Sequence, residues 1–217
     1  MECGINMMNK KMKEFCTKKQ KDNDYHNTIK YTRINLLYTV LLGPNGCGKS
    51  TTLKSIERDL KKKGIKVVKY STSHDDVVTK KSSPFDFQPE YMIAAFYSEG
   101  ERMDVSFNTW ASEVMVPKIL EDSEPIYILL DEIDSGLSID RILACTRDMR
   151  IVGDSEKAKG RDIHFIITAN SYELAESFKE AQTEYIWIPT GEDMKLCAYN
   201  SFKGKYIEYF EEMFKDD

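Results

Sequence analysis

Gly43-Pro44-Asn45-Gly46-Cys47-Gly48-Lys49-Ser50-Thr51, "GPNGCGKST", is the stretch on which the fold turns. It matches G-x-x-x-x-G-K-[ST] at every fixed position. The run "IKYTRINLLYTVLL" (29–42), rich in β-branched and aromatic residues, enters it as a strand. Residues 50–63 leave it as a helix, with apolar positions at Leu53, Ile56 and Leu60. A strand, a glycine loop and a helix in that order form an anion cradle. The glycines let successive backbone N–H groups turn inward, and the helix start adds its positive dipole end. Gly43, Asn45, Gly46, Cys47, Gly48 and Thr51 are therefore candidate phosphate-loop residues. Lys49 is expected to reach the β- and γ-phosphates, and Ser50 to ligate Mg²⁺. Cys47 enters as a backbone donor, and its thiol need not act. ATP and Mg²⁺ are the expected ligands.

Further along, apolar runs alternate with helical patterns. "IKVVKY" (65–70), "PIYILL" (125–130) and "IHFIITA" (163–169) read as strands. Helices are expected from Ser98 to about Leu120, over roughly 138–150, over 171–181 and over 204–214. "EYIWIP" (184–189) and "KLCAYN" (195–200) suggest a closing hairpin. Strands alternating with helices argue for an α/β P-loop NTPase fold with a mostly parallel sheet flanked by helices.

The second chemical signal is "PIYILLDEID", where Asp131 and Glu132 follow a buried-type strand. Ligands of open parallel sheets sit at the carboxyl ends of strands. Asp131 suits the aspartate that holds Mg²⁺, directly or through water. Glu132 suits the catalytic carboxylate that orients and deprotonates water. Lys49 and Glu132 are the expected catalytic pair.

The 217 residues bound the chain to one sizeable core or two small domains, and the composition is that of an ordinary globular protein. A net charge of −5 does not announce a nucleic-acid binder. The segment 1–21 departs from it, with lysines at 10, 11, 13, 18, 19 and 21 against Glu2 and Glu14. Residues 1–28 thus read as a basic, partly disordered arm, either solvated or touching nucleic acid, and residues 29–217 as one ATPase domain. The five cysteines, Cys3, Cys16, Cys47, Cys145 and Cys197, show no C-x-x-C spacing and suggest a reducing cytoplasm. There is no apolar run long enough to span a membrane and no signal-peptide core.

"AFYSEGERM" (95–103) admits two readings. In one, Ser98 caps a helix with Glu101 three residues on, which leaves Gly100 unexplained. In the other, the order phosphate loop, Ser-x-Gly-Glu, then Asp-Glu strand resembles ATP-binding-cassette (ABC) ATPases. The form at Ser98, Gly100 and Glu101 is similar to the SMC-type and RecF-type heads. That resemblance implies a head-to-tail dimer closing on two ATPs, with Ser98 and Gly100 capping the γ-phosphate of a partner's nucleotide. It implies an interface role for Asp134 to Leu137, and places Gln88 as the glutamine that senses Mg²⁺ and the attacking water. It implies that Asn170 replaces the family's switch histidine near the γ-phosphate, which would slow hydrolysis. It points to DNA maintenance or host defence, with DNA or a nuclease as partner. Two other readings stay open: the ATPase subunit of an ABC transporter, and a non-ABC P-loop kinase or NTPase. No aromatic is assigned to the adenine ring, since Tyr25, Tyr31 and Tyr38 all read as structural.

Overall fold

The computed structural model describes residues 36–71, 99–121, 125–135, 137–179, 183–194, 196 and 198–214. The basic arm, Gln88 and Ser98 lie outside them. The central strands are β1 (Tyr38–Leu42), β3 (Ile126–Asp131) and β4 (Ile163–Ala169), buried along their whole length. Their near-continuous apolar sequence is what a strand covered on both faces requires. β2 (Lys66–Ser71) and β5 (Thr183–Trp187) flank them, and a two-residue β6 (Glu192–Asp193) closes the edge. The sheet order is β2-β3-β4-β1-β5-β6; β1 to β5 are parallel and β6 runs antiparallel to β5. The expected α/β P-loop architecture is therefore present.

One consequence of this order governs the site. β4 lies between β1 and β3, so the ends of all three strands open onto the same crevice. The phosphate loop leaves β1 after Leu42, Asp131 ends β3, and Asn170 follows β4.

The first helix, α1 (Lys49–Lys62), buries Leu53, Ile56 and Leu60 under the sheet, as its apolar spacing requires. Each such side chain contributes about 1.5–3 kcal/mol when fully buried. The expected helix from Ser98 to Leu120 is present in three joined pieces. α2 (Glu99–Trp110) runs into a π-helical turn (Ala111–Met115) and then α3 (Val116–Leu120). Pro117 lies at the start of α3 and has no N–H to give the preceding turn, so a wider turn there costs less than an unbroken helix. Aromatic packing of Tyr70, Phe107 and Trp110 holds α2 on β2. An ion pair between Asp104 and Arg141 ties α2 to α4 (Ile139–Ala158).

α4 continues well beyond residue 150. Gly153 sits in its interior because Tyr38 and Phe165 of the sheet press there; a Cβ would lie 2.5 Å from the Tyr38 hydroxyl. The helix stops at Gly160 (φ 79), whose left-handed backbone lets Gly160 and Arg161 N–H groups bond back to Lys157 and Glu156 carbonyls. α5 (Tyr172–Ser177) is shorter than expected, and α6 (Tyr199–Phe214) starts earlier. The expected hairpin strand over 195–200 is not formed among the described residues. The chain turns at Trp187, whose carbonyl accepts from Thr190 and Gly191, pairs for two residues and then enters α6.

Candidate nucleotide site

The loop from Gly43 to Gly48 curls over the start of α1 through left-handed glycines: Gly43 (φ 150), Gly46 (φ 81) and Gly48 (φ 102). Gly43 has a second constraint, since a Cβ there would lie 2.6 Å from Cys47 Sγ and 3.1 Å from Pro189. Asn45 and Gly46 are exposed at the tip, whereas Cys47 is buried beneath it. Cys47 N–H donates to the Pro44 carbonyl at 3.2 Å, and Thr52 N–H to Gly48 at 2.8 Å. Thr51 is exposed on the first turn of α1.

Lys49 is 4% exposed, an unusual place for an ammonium. Its Nζ donates to the Gly43 carbonyl at 2.5 Å and to Pro44 at 3.0 Å, so it lies folded beneath its own loop. Burial pulls its pKa down, against the opposing pull of Cys47, Glu132, Asp134 and Asp131. A charge held this way is poised for an anion, because phosphate would supply the counter-charge that the two carbonyls only approximate.

Ser50 Oγ donates to Asp131 Oδ1 at 2.9 Å. Thr168 Oγ1 donates to the same oxygen at 2.9 Å. Glu132 follows in a left-handed conformation (φ 55), the one positive φ outside glycine among the described residues. Its N–H donates to Thr168 Oγ1 at 2.8 Å. Burial, with the neighbouring Asp131 and Asp134 charges against Lys49, raises the Glu132 carboxyl above its ordinary pKa. A raised pKa suits a group that has to take a proton.

Asp134 is 8% exposed and its Oδ2 accepts three donors: Asn170 N–H (2.8 Å), Ser171 N–H (2.7 Å) and Ser171 Oγ (2.7 Å). Ser171 Oγ in turn accepts from Leu174 N–H at 3.3 Å and caps α5. Asn170 is thereby fixed at the mouth of the crevice, with its side-chain Oδ1 buried and not hydrogen-bonded.

Behind the loop stands α6. Tyr206 packs edge-on to Trp187 and against Phe202, with its hydroxyl buried near the Gly43 backbone. Burial raises that phenol's pKa. Tyr38 does not approach the site. It begins β1 at the far end of the strand, its ring in contact with Phe165 and Phe178. Tyr25 and Tyr31 lie outside the described residues.

A family model described as "ATPase family associated with various cellular activities (AAA)" matches residues 39–184, more than half of the chain. The chain belongs to the AAA family. Membership makes it an ATP hydrolase domain of the P-loop kind, and the match extends from β1 to the start of β5. No curated protein and no solved structure matches it significantly.

The AAA match overturns the ABC resemblance, and with it the transporter, SMC and RecF readings. It spans the very segment, 98–101, on which that resemblance rested. Gly100 and Glu101 lie in the first turn of α2, and Glu101 is exposed. The full cost of glycine applies to a helix interior, and this glycine lies at an end, where helices fray. A three-residue match carries little information, and Gly100 and Glu101 need no partner's γ-phosphate to explain them. The interface role expected of Asp134 to Leu137 rested on that resemblance and goes with it; Asp134 Oδ2 is bonded within its own chain. Asn170 departs from nothing once the ABC pattern is set aside.

The sequence reading missed Thr168, Ser171 and Tyr206. Thr168 left no local signal, since a threonine in "FIITA" reads simply as a β-branched strand residue. Among the described residues no helix is long and apolar enough to cross a membrane.

Proposed function

We propose that this AAA chain hydrolyses ATP with Mg²⁺ at the loop between β1 and α1. The observation that carries the reading is the meeting of Ser50 with Asp131 at 2.9 Å beside the folded-back Lys49. The loop N–H groups of Asn45, Gly46 and Gly48 would hold the phosphates, and Lys49 would swing from the Gly43 and Pro44 carbonyls to the β- and γ-oxygens. Ser50 and Asp131 supply the oxygen donors for Mg²⁺. Among the described residues no cluster of three or more His, Cys, Asp or Glu could hold a metal. Mg²⁺ needs no such cluster, being usually held by one or two side chains, waters and substrate phosphates. Bound Mg²⁺ would neutralise charge on the phosphates. Glu132 would orient a water and take its proton as the water oxygen bonds to the γ-phosphorus and the bond to the β-phosphate oxygen breaks, leaving ADP and phosphate. Asn170 can hydrogen-bond the γ-phosphate side of the crevice but can carry no proton.

Residues 29–217 act as one ATPase domain in this reading, and the chain self-associates, as ATPases of this family typically do. Sedimentation with and without ATP tests the second point. The site itself is tested by titrating wild-type and Lys49→Ala with a fluorescent ATP analogue. Affinity is expected to fall at least about tenfold, or 1.4 kcal/mol. Unchanged affinity places the nucleotide elsewhere.

A further inference from the structure

We propose that Thr168 is a positioning residue for hydrolysis, one hydroxyl setting both the Asp131 carboxylate and the Glu132 backbone. The inference rests on the reading of the site given above. Thr168 is 0% exposed on β4, in register with Leu41 of β1, so it stands between the phosphate-loop strand and the acidic strand.

A threonine hydroxyl has one proton to give and lone pairs to receive. The proton goes to Asp131 Oδ1 at 2.9 Å, and a lone pair takes the Glu132 N–H at 2.8 Å. Asp131 Oδ1 also accepts Ser50 Oγ at 2.9 Å. Both hydroxyls address the same carboxylate oxygen, so they fix the plane of the carboxylate and leave Oδ2 outside their grip. On the Glu132 side, the chain leaves an extended strand and enters the left-handed region within one residue. Such a conformation persists only where its surroundings hold it. Two bonds do so here: Glu132 N–H to Thr168, and Ser135 N–H to the Glu132 carbonyl at 3.0 Å. The turn carries the Glu132 side chain off the alternating track of the strand. Removing the Thr168 hydroxyl frees the metal-side carboxylate and the base-side backbone together, while Lys49 and the loop glycines keep their own contacts.

The test measures kcat, KM for ATP, the Mg²⁺ concentration at half-maximal rate, and the thermal melt. The variants are Thr168→Val, Thr168→Ala and Thr168→Ser. Thr39→Val serves as control, a buried threonine on β1 whose hydroxyl makes no hydrogen bond. Valine keeps the shape and removes both bonds; alanine carries the same test if valine does not fold; serine restores the hydroxyl. Thr168→Val is expected to lower kcat about tenfold or more and to raise the Mg²⁺ midpoint several-fold, with KM for ATP within about twofold. Thr168→Ser should recover most of kcat, and Thr39→Val should match wild type. Three results overturn the proposal alone: full kcat in Thr168→Val and Thr168→Ala, an equal loss in Thr168→Ser, or a loss that only tracks the unfolded fraction in the melt. A wild-type chain with no Lys49-dependent turnover overturns the reading of the site, and the proposal with it.

Discussion

Ser50 on α1 and Asp131 at the end of β3 are 81 positions apart in the chain and joined by a 2.9 Å hydrogen bond. The bond exists because β4 spaces β1 and β3 so that a helix leaving one faces a carboxylate ending the other. Asp131→Asn keeps the shape of that carboxylate and removes its charge. Nucleotide binding without Mg²⁺ should persist, since Lys49 and the loop are untouched. Mg²⁺-dependent phosphate release should fall about a hundredfold or more, on the order of 2.7 kcal/mol. Turnover within a few-fold of wild type would remove Asp131 from the metal site.

Glu132→Gln tests the electrostatics without nucleotide or Mg²⁺. Burial and the nearby Asp131 raise the pKa of this carboxyl in the folded chain. The neutral form is therefore the one folding favours. Its contribution to stability is fully present below the unfolded pKa and is lost as pH rises through the folded one. At neutral pH the ionised Glu132 weakens the fold, and glutamine removes that cost. The variant should unfold at higher denaturant than wild type at pH 7, and the difference should vanish in acid, below the ordinary carboxylate range. A variant less stable at pH 7 would mean that the charge is favourably held.

Gly153→Ala probes the seat of α4 on the sheet. In an exposed helix interior this change would stabilise by roughly 0.8–1.0 kcal/mol. Here the new Cβ meets the Tyr38 hydroxyl at 2.5 Å and the Phe165 ring at 3.0 Å. Tyr38 cannot retreat, since its ring lies against Phe165 and Phe178 in the core. The packing term decides the sign, and the variant should lose about 1–3 kcal/mol in chemical denaturation. A gain in stability would show that α4 rides higher on the sheet than described.

The parts of the site that were legible in sequence are those whose chemistry is local. A phosphate loop needs consecutive glycines followed by Lys49 and Ser50, and a strand end needs Asp131 and Glu132 next to an apolar run. The alternation of strands and helices gave the fold class for the same reason. Strand order was not legible, because nothing in "FIITA" announces that β4 inserts between β1 and β3. Thr168 was invisible on that account: its partners Asp131 and Glu132 become neighbours only once the strands are ordered. The length of α4 was missed because Gly153 weakens the helical pattern, while its reason, the Tyr38 ring, lies over a hundred residues upstream. The ABC resemblance went astray at Ser98, Gly100 and Glu101, of which Gly100 and Glu101 lie in the first turn of α2 and Ser98 lies outside the described residues. Glutamate suits a first turn through its charge, and glycine's full cost is that of a helix interior. The arm at 1–28 was read from its lysines and lies outside the described residues.

Steady-state phosphate release by wild-type chain and by Lys49→Ala, each with and without Mg²⁺, tests the central claim most directly. Wild type should turn over ATP only with Mg²⁺, and Lys49→Ala should show no turnover above the protein-free rate while keeping its far-UV circular dichroism. Release that persists in folded Lys49→Ala, or that ignores Mg²⁺, would contradict ATP hydrolysis at this loop.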